Sequence, residues 1–280
     1  MSSRLRTIRE IFHVKSAIEG AGVHLQRGFG NPEVPKFDPF LLFDDFSAEN
    51  PADYLPGFPM HPHRGIETVT YILGGEVRYQ DSIGTYGSIT KGDVQWMTAG
   101  SGIMHEEMPQ GEKGLMGFQL WVNLPAKAKM TQPRYQEVKS KEIPEIPYGR
   151  DALVRLIAGA WRKVDAPVKD IIAEPTYLDI SLKNYGKMNV PIFQTHNAFI
   201  YIFDGDVLID KKKIAKGKVV LLNRDGDSVR LTAGSAGARF LVAAGKPLGE
   251  PIAWYGPIVM NTRTELETAV YDLQTGRFVK

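Results

Sequence analysis

Four residues in the first half of the chain have the types and the spacing of metal ligands. His61 and His63 stand two residues apart in HPHRGIETVTYILGG, and His105 and Glu107 stand two residues apart in GSGIMHEE. Side chains alternate faces along an extended strand, so each pair points to one face and two strands would offer four ligands. Three imidazoles and one carboxylate without a thiolate suit Fe²⁺, Mn²⁺, Ni²⁺, Cu²⁺ or Zn²⁺, whereas Ca²⁺ requires more oxygen ligands. The four residues therefore predict one divalent metal site.

Other titratable residues give weaker signals. His13 and His24 each lie alone in a strand-like run, and we interpret both as packed or surface imidazoles. Asp44 and Asp45 are adjacent in a proline-rich region, where carboxylate pairs are more often solvated or turn-forming than catalytic.

Short antiparallel strands are predicted to position the candidate ligands. β-Branched and aromatic residues are dense in ETVTYIL, and glycine-containing turns separate it from EVRYQDS and KGDVQWM. Short strands with turns at regular intervals are typical of an antiparallel sandwich or barrel. The glycines of TAGSGIMHEEMP allow a backbone bend that directs the strand holding His105 inward.

The flanking segments predict further elements. Residues 4–27 alternate apolar and polar and break at glycines, which predicts an entering hairpin. The proline-rich segment 28–59 predicts a long loop around one strand, FLLFDDF. Near the C terminus, NTRTELETAVYDLQTG carries Thr262 and Glu265 at capping-box spacing, which predicts one helix that Gly276 ends.

A length of 280 residues predicts two domains. The segment KAKMTQPRYQEVKSKEIPEIPYGR is rich in lysine and interrupted by prolines, which is typical of a linker. We therefore predict a metal-binding domain at residues 1–130, a linker at 131–150 and a second domain at 151–280.

An internal repeat supports two domains. YILGGEV at 71–77 matches YIFDGDV at 201–207, and ITKGDV at 89–94 matches IAKGKV at 214–219. The two offsets are 130 and 125 residues, so the copies differ by a deletion of five residues.

The repeat changes the residues at the ligand positions. The offsets place Pro191 and Phe193 where the first copy has its two nearby histidines, and Arg230 and Thr232 where it has the later histidine and glutamate. His196 lies close by but does not align with a ligand, and we interpret it as a structural or surface residue. The second domain is therefore predicted to bind no metal.

Composition and charge exclude several classes of partner. The chain has 34 basic and 32 acidic residues, a net charge of +2, which argues against nucleic acid or an anionic membrane as partner. The absence of cysteine excludes disulfides and thiolate chemistry. The N-terminal MSSRLRTIREIFHVKSAIEG interrupts every apolar run with a charge, so no signal peptide or membrane span is expected. We predict a cytoplasmic protein.

The order of the motifs resembles the cupin superfamily and, more closely, the pirin family. The landmarks are GNPEVPKFDPFLLFDDF, HPHRGIETVTYILGG, DVQWMTAGSGIMHEEMP, FQLWVNLP and GEPIAWYGPIVMNTRTEL, which together cover most of the chain. The resemblance implies an all-β bicupin, with two tandem antiparallel β-sandwich barrels and a short C-terminal helix. It also implies a mononuclear metal, usually iron, in the first barrel and none in the second.

The resemblance implies roles for individual residues as well. The ligands of the family correspond to the four candidates above. Glu67, a ligand in many other cupins, is expected beside the metal ligands rather than among them. Glu106 stands where relatives often have alanine, and strand alternation points it away from the metal.

The resemblance to the pirin family, together with the candidate metal site, implies a functional hypothesis with two alternatives. The leading hypothesis is an enzyme, a metal-dependent dioxygenase of the quercetin 2,3-dioxygenase type, with Fe²⁺ as the first expectation for the metal. Its substrates would be dioxygen and a flavonol-like aromatic molecule, and Glu107 would accept the hydroxyl proton as a base. One alternative is a non-catalytic, metal-binding regulatory protein that acts through protein partners. The other is a metal-assisted isomerase or hydrolase.

Apolar residues near the candidate ligands could form a slot for such a substrate. Phe58, Met60, Trp96 and Met104 are the candidates, and at least two of them are expected to belong to the barrel core instead.

Overall fold

The structure is a computed structural model, and it describes residues 4–279. These residues form 24 strands, one α-helix and four short 3-10 helices. The strands up to residue 138 are β1 (Ile8–His13), β2 (Lys15–Glu19), β3 (Val23–Phe29), β4 (Phe40–Asp45), β5 (Phe58–His63), β6 (Ile66–Gly74), β7 (Glu76–Asp81), β8 (Tyr86–Thr90), β9 (Val94–Thr98), β10 (Ile103–Gln110), β11 (Met116–Asn123) and β12 (Arg134–Val138). The later strands are β13 (Glu145–Tyr148), β14 (Ala152–Ala158), β15 (Ala160–Trp161), β16 (Val164–Asp165), β17 (Thr176–Leu182), β18 (Lys187–Pro191), β19 (Asn197–Ile209), β20 (Lys212–Ala215), β21 (Lys218–Leu222), β22 (Ser228–Gly245), β23 (Ala253–Tyr255) and β24 (Ile258–Met260). The helix α1 is Arg263–Gln274, and the 3-10 helices are Asn31–Glu33, Pro51–Asp53, Ala126–Ala128 and Ser140–Glu142. The predicted all-β class is confirmed.

The chain divides into two compact units, each assembled from separate stretches. The first unit contains Lys15–Val34, Phe40–Ser140 and the segment from Leu248 onward, and the second contains the segment up to Val14, Pro35–Pro39 and Lys141–Pro247. This division differs from the contiguous domains 1–130 and 151–280 at both ends of the chain. Strand pairing is the reason, because β1 pairs antiparallel with β21 and Val259 of β24 donates to the carbonyl of Arg64, next to β5.

The segment 131–150, predicted as a linker, contains two strands. β12 pairs with β9 in the first unit and β13 pairs with β14 in the second, and the boundary between units falls between Ser140 and Lys141. Both strands lie at the end of their sheet. A lysine-rich and proline-broken sequence suits such edge strands, because one side of an edge strand lacks a partner strand.

Two packed sheets build the first unit. One has seven strands in the order β12-β9-β6-β11-β4-β3-β2, and the other has four in the order β5-β10-β7-β8. The β-branched run of β6 is buried along nearly its whole length. Ile72 of β6 and Val77 of β7 belong to one hydrophobic core, so the two sheets pack face to face as a sandwich.

The second unit is built on one sheet of nine strands. Seven follow the order β1-β21-β19-β22-β17-β14-β13, while β18 pairs with β22 and β20 pairs with β19. Its core includes Val154, Ile200 and Phe240, all fully buried.

Two local predictions are matched and one is modified. The predicted entering hairpin is β2 and β3, whereas β1 pairs elsewhere. The predicted helix is α1, with Thr262 as its N-cap accepting a hydrogen bond from the backbone of Glu265, and Gly276 follows it with a positive φ of 69°. The strand predicted within the long loop is β4.

Among the described residues, no helix combines the length and the apolar character needed to cross a bilayer.

Candidate metal centre

Two neighbouring strands hold the four candidate ligands. His61 and His63 lie on β5, and His105 and Glu107 lie on β10. The strands are antiparallel, with His61 directly opposite His105. Burial alternates along β10, so that His105 and Glu107 share the buried face and Glu106 lies on the other. The spacing of two residues in each motif is what places both members on one face.

The three imidazoles converge on one point. One ring nitrogen from each of His61, His63 and His105 lies within 4.8 Å of the other two. The Nε2 atoms of His61 and His63 are 3.1 Å apart. In the part of the chain that the structure describes, no other group of three or more histidines and carboxylates is close enough to share an ion.

The protonation of these imidazoles favours a metal. Burial lowers the pKa of His63 and of His105 well below the ordinary value, so both rings are neutral near pH 7 and offer lone pairs. His61 Nδ1 lies 2.9 Å from the carbonyl oxygen of Pro59. A carbonyl can only accept, so Nδ1 carries a hydrogen, and in the neutral ring the lone pair is on Nε2, which faces His63.

Buried polar atoms also indicate that a ligand is needed. Both ring nitrogens of His105 are buried, and none of the described residues supplies them with a hydrogen-bond partner. Buried polar atoms are normally satisfied, so these atoms require an explanation. Neutral nitrogen donors without competing partners fit a divalent transition metal such as Fe²⁺.

Glu107 stands apart from the histidine group. Its buried carboxylate accepts hydrogen bonds from Thr70 Oγ1 at 2.8 Å and from Gln119 Nε2 at 2.9 Å, and it is not among the residues that share the ion-sized space. Trp121 Nε1 donates to Gln119 Oε1 at 3.0 Å, which directs the amide nitrogen of Gln119 toward Glu107. The structure thus brings three of the four predicted ligands together and holds the fourth in a chain of polar side chains.

Glu67 is also outside the histidine group. It is 1% exposed and accepts a hydrogen bond from Thr98 Oγ1 at 2.8 Å. Burial raises its pKa, although the bond from Thr98 opposes the shift.

A cavity of about 600 Å³ opens onto His61 and His63. Trp121, Trp254 and Phe58 give it aromatic walls. The ring of Trp121 meets His63 edge to face, with centroids 5.2 Å apart, and stacks against Trp254 at 6.0 Å. The volume and the aromatic walls suit a planar molecule of drug-like size.

The four apolar residues predicted near the ligands have different roles. Phe58 lines the cavity, whereas Trp96 is a core residue with 1% exposure. Met104 packs against the core that includes α1, and Met60 is 43% exposed.

Sequence reasoning missed the two tryptophans of the cavity wall. A signal for Trp121 exists, because Gln119 and Trp121 alternate with apolar residues along FQLWVN and so share a face of β11. Trp254 lies more than a hundred residues away, in the segment from Leu248 onward. Its position depends on how that segment packs, and no local pattern predicts it.

A charged group forms another part of the cavity wall. Arg27 donates to both oxygens of Asp44, at 2.9 and 2.8 Å, and its third nitrogen lies 2.9 Å from Glu19. Burial raises the pKa of Asp44, and Arg27 opposes this rise. Asp44 is therefore neither solvated nor part of a turn, as the sequence had suggested, but lies buried on β4 as the partner of Arg27, and it also lines the cavity.

Comparison with known proteins agrees with this architecture. The family Pirin matches residues 22–122, and the Pirin C-terminal cupin domain matches residues 177–279. A pirin-like protein of Caulobacter vibrioides is 43% identical over 98% of this chain and 99% of that protein. The crystal structure of a quercetin 2,3-dioxygenase from Acinetobacter baumannii is 33% identical and has a TM-score of 0.90, covering 98% of this chain and 99% of that one.

A more distant structure has the same fold. A bacterial pirin from Escherichia coli in complex with nickel(II) is 21% identical, with a TM-score of 0.67 over 85% of this chain and 98% of that one. The family matches cover both halves of the chain, and the Caulobacter relative spans nearly all of it. The chain is therefore a bicupin and belongs to the pirin family.

Proposed function

We propose that the protein is a metal-dependent dioxygenase of the quercetin 2,3-dioxygenase type, acting on a flavonol-like aromatic molecule and dioxygen. One observation carries the proposal. His61 and His63 form a cluster with His105 that is close enough to hold one metal ion, and the same two histidines line a cavity with aromatic walls. The similarity to the Acinetobacter quercetin 2,3-dioxygenase supports the same reaction class.

The proposed ligands of one divalent metal are His61, His63, His105 and Glu107. Fe²⁺ is the first expectation, and Mn²⁺, Ni²⁺, Cu²⁺ or Zn²⁺ suit the same donors. When bound, the metal would acidify a coordinated hydroxyl and supply redox chemistry toward dioxygen. Each oxygen of Glu107 accepts one of the two hydrogen bonds described above and keeps a lone pair. Glu107 can therefore add a metal contact without losing Thr70 or Gln119.

The side chains around the metal site have separable roles in this proposal. Trp121 and Trp254 hold the aromatic rings of the substrate by stacking. Glu107 acts as the base that takes the proton of the substrate hydroxyl. Gln119 lines the cavity and donates to Glu107, so it orients the base from the substrate side.

Turnover of quercetin tests the proposal. Wild type loaded with Fe²⁺, Mn²⁺ or Ni²⁺ should consume dioxygen with quercetin, and Glu107→Gln should lower the rate by roughly a hundredfold or more, because an amide cannot accept the proton. Glu106→Gln is the matched control, since Glu106 lies on the opposite face of β10, and it should keep the wild-type rate. Oxygen uptake and metal content are measured on the same samples.

Two outcomes would contradict different parts of the proposal. If metal-replete wild type consumes no oxygen with any flavonol tested, the enzymatic function fails and a metal-binding regulatory protein with protein partners becomes the better account. If Glu107→Gln keeps both the metal and the full rate, only the role of Glu107 as base is wrong.

A further inference from the structure

The second unit has a cavity of its own, with a volume of about 650 Å³. Pro191 and Phe193, which the repeat aligns with the two histidines of β5, both line it. The sheet register likewise places Asn189 opposite Arg230 and Pro191 opposite Ser228, so neither opposed pair contains a histidine or a carboxylate. Among the residues that the structure describes, the wall of this cavity thus lacks the histidine cluster of the first unit.

Two buried polar groups in this wall need a partner. Trp161 and His196 both line the cavity and are 2% and 5% exposed. Trp161 Nε1 and His196 Nδ1 make no hydrogen bond with any of the residues that the structure describes. An indole nitrogen can only donate, so a ligand that satisfies Trp161 must carry an acceptor such as a carbonyl oxygen.

The wall is held in place by a buried arginine. Arg6 is 2% exposed and donates to three backbone carbonyls, those of Gly226 at 3.0 Å, His196 at 2.9 Å and Phe193 at 2.6 Å. The amide of His196 donates to the carbonyl of Phe193 at 2.8 Å, which closes the turn between them. A wall fixed in this way is preorganised, so binding costs less conformational entropy.

Backbone conformation supports the same conclusion. Arg162, Asp170 and Glu174 line the cavity and have positive φ values of 57°, 55° and 46°. Non-glycine residues in this region are strained unless their surroundings hold them, and they are enriched at ligand sites.

The chemistry of the lining defines a class of ligand. Trp161, Val168, Ile192 and Phe193 provide aromatic and aliphatic surface, and the charged lining residues include both signs, so a strongly charged ligand is not favoured. Phe193 is 72% exposed and is free to cover a ring. We propose that the second unit binds a neutral aromatic molecule bearing a carbonyl oxygen, independently of any metal, with Trp161 donating to the carbonyl and Phe193 stacking on the ring.

Calorimetric titration with flavone tests this proposal. Flavone is an aromatic ketone without the adjacent hydroxyl that chelation of a metal requires. Full-length protein should bind it saturably both with metal and after metal removal. Trp161→Phe should weaken binding about tenfold, because the donor is lost and the ring is kept. Phe193→Ala should also weaken it, and this exposed residue can be replaced without disturbing the core.

Matched variants separate the two cavities. Trp254→Phe makes the same change in the wall of the first cavity and should leave the affinity of this site unchanged. His63→Ala should also bind flavone with wild-type affinity, because flavone binding in the second unit does not depend on the metal site. The result is independent of whether the dioxygenase reaction is found, so one proposal can be wrong while the other holds. The proposal is overturned if wild type shows no saturable binding. It is also overturned if Trp161→Phe and Phe193→Ala both bind as wild type does, or if only Trp254→Phe weakens the complex.

Discussion

At the scale of single residues, the candidate metal centre depends on burial and tautomer as much as on ligand type. His63 and His105 are each 1% exposed, which keeps their rings neutral. The carbonyl of Pro59 holds a hydrogen of His61 on Nδ1, so in the neutral ring the lone pair is on Nε2, which lies 3.1 Å from Nε2 of His63. Glu107 is oriented beforehand by Thr70 and Gln119. Such supporting hydrogen bonds commonly raise metal affinity by fixing the ligands.

Replacing His63 with alanine should abolish stoichiometric metal binding while the fold persists. One of the three clustered imidazoles is lost, whereas the second unit shows that this scaffold forms with other residues at the ligand positions. Elemental analysis and far-UV circular dichroism of the purified variant measure the two effects.

His24→Ala provides the control for this variant. Its side chain is 57% exposed and faces Asp53, so removal should leave the metal content unchanged. Retention of stoichiometric metal by His63→Ala would show that the ligand assignment is wrong.

At the scale of elements, one carboxylate ties β12 to the turn between β8 and β9. Asp93 accepts hydrogen bonds from the amide of Ser140 at 2.8 Å, from Thr90 Oγ1 at 2.9 Å and from Lys139 Nζ at 3.2 Å. Burial acts to raise the pKa of Asp93, but the hydrogen bonds outweigh it and lower the pKa below the ordinary 3.8. In the second copy of the repeat, Lys218 stands at the position that aligns with Asp93. A lysine cannot accept these hydrogen bonds, so the contact made by Asp93 is specific to the first unit.

Asp93→Asn should lower the free energy of unfolding by about 2 kcal/mol near neutral pH, because charge-assisted hydrogen bonds are lost. Since the folded pKa is lowered, the unfolded carboxyl takes up its proton first as pH falls. The contribution of Asp93 is therefore complete well above pH 3.8 and declines as pH drops through the folded pKa. Urea unfolding at several pH values measures the difference.

The exposed carboxylate of Glu112 serves as the control, and Glu112→Gln should change stability little at any pH. A difference between wild type and Asp93→Asn that stays constant into acid would contradict the role given to the ionised carboxylate.

At the scale of the whole molecule, two copies of one scaffold have diverged in chemistry. Gly75 and Gly205 are 130 residues apart and have positive φ values of 85° and 67°, and Gly92 and Gly217 are 125 residues apart with values of 86° and 77°. The turns of the repeat are therefore built alike, because only glycine adopts this conformation without strain. Within the described residues, the clustered histidines lie in the first unit alone.

Metal addition should slow amide hydrogen exchange in the first unit, most strongly in β5 and β10, because an ion that binds only the folded site stabilises the strands that hold it. Exchange in β18 and β22 of the second unit should not change. Hydrogen exchange read by mass spectrometry, with His63→Ala as the control that shows no response, makes this comparison. Metal-dependent protection in β18 or β22 would contradict the prediction that the second unit binds no metal.

The sequence by itself determined those features that depend on local periodicity. Alternation along a strand paired His61 with His63 and His105 with Glu107, and glycine-spaced strands indicated the all-β class. The capping box of Thr262 and Glu265 located the α-helix. These patterns are readable because strand alternation and helix capping act over two to four residues. The ordered motifs also pointed to the pirin family.

Only the tertiary structure decided how distant segments meet. The pairing of β1 with β21, the arrival of Trp254 in the wall of the first cavity and the hydrogen bonds from Arg6 to the turn ending at His196 all join residues more than a hundred positions apart. The carboxylate of Glu107 likewise faces Thr70 and Gln119 because β6, β10 and β11 bring these side chains together. Such contacts follow from which strands pair and at what register, and a local pattern carries no information about either.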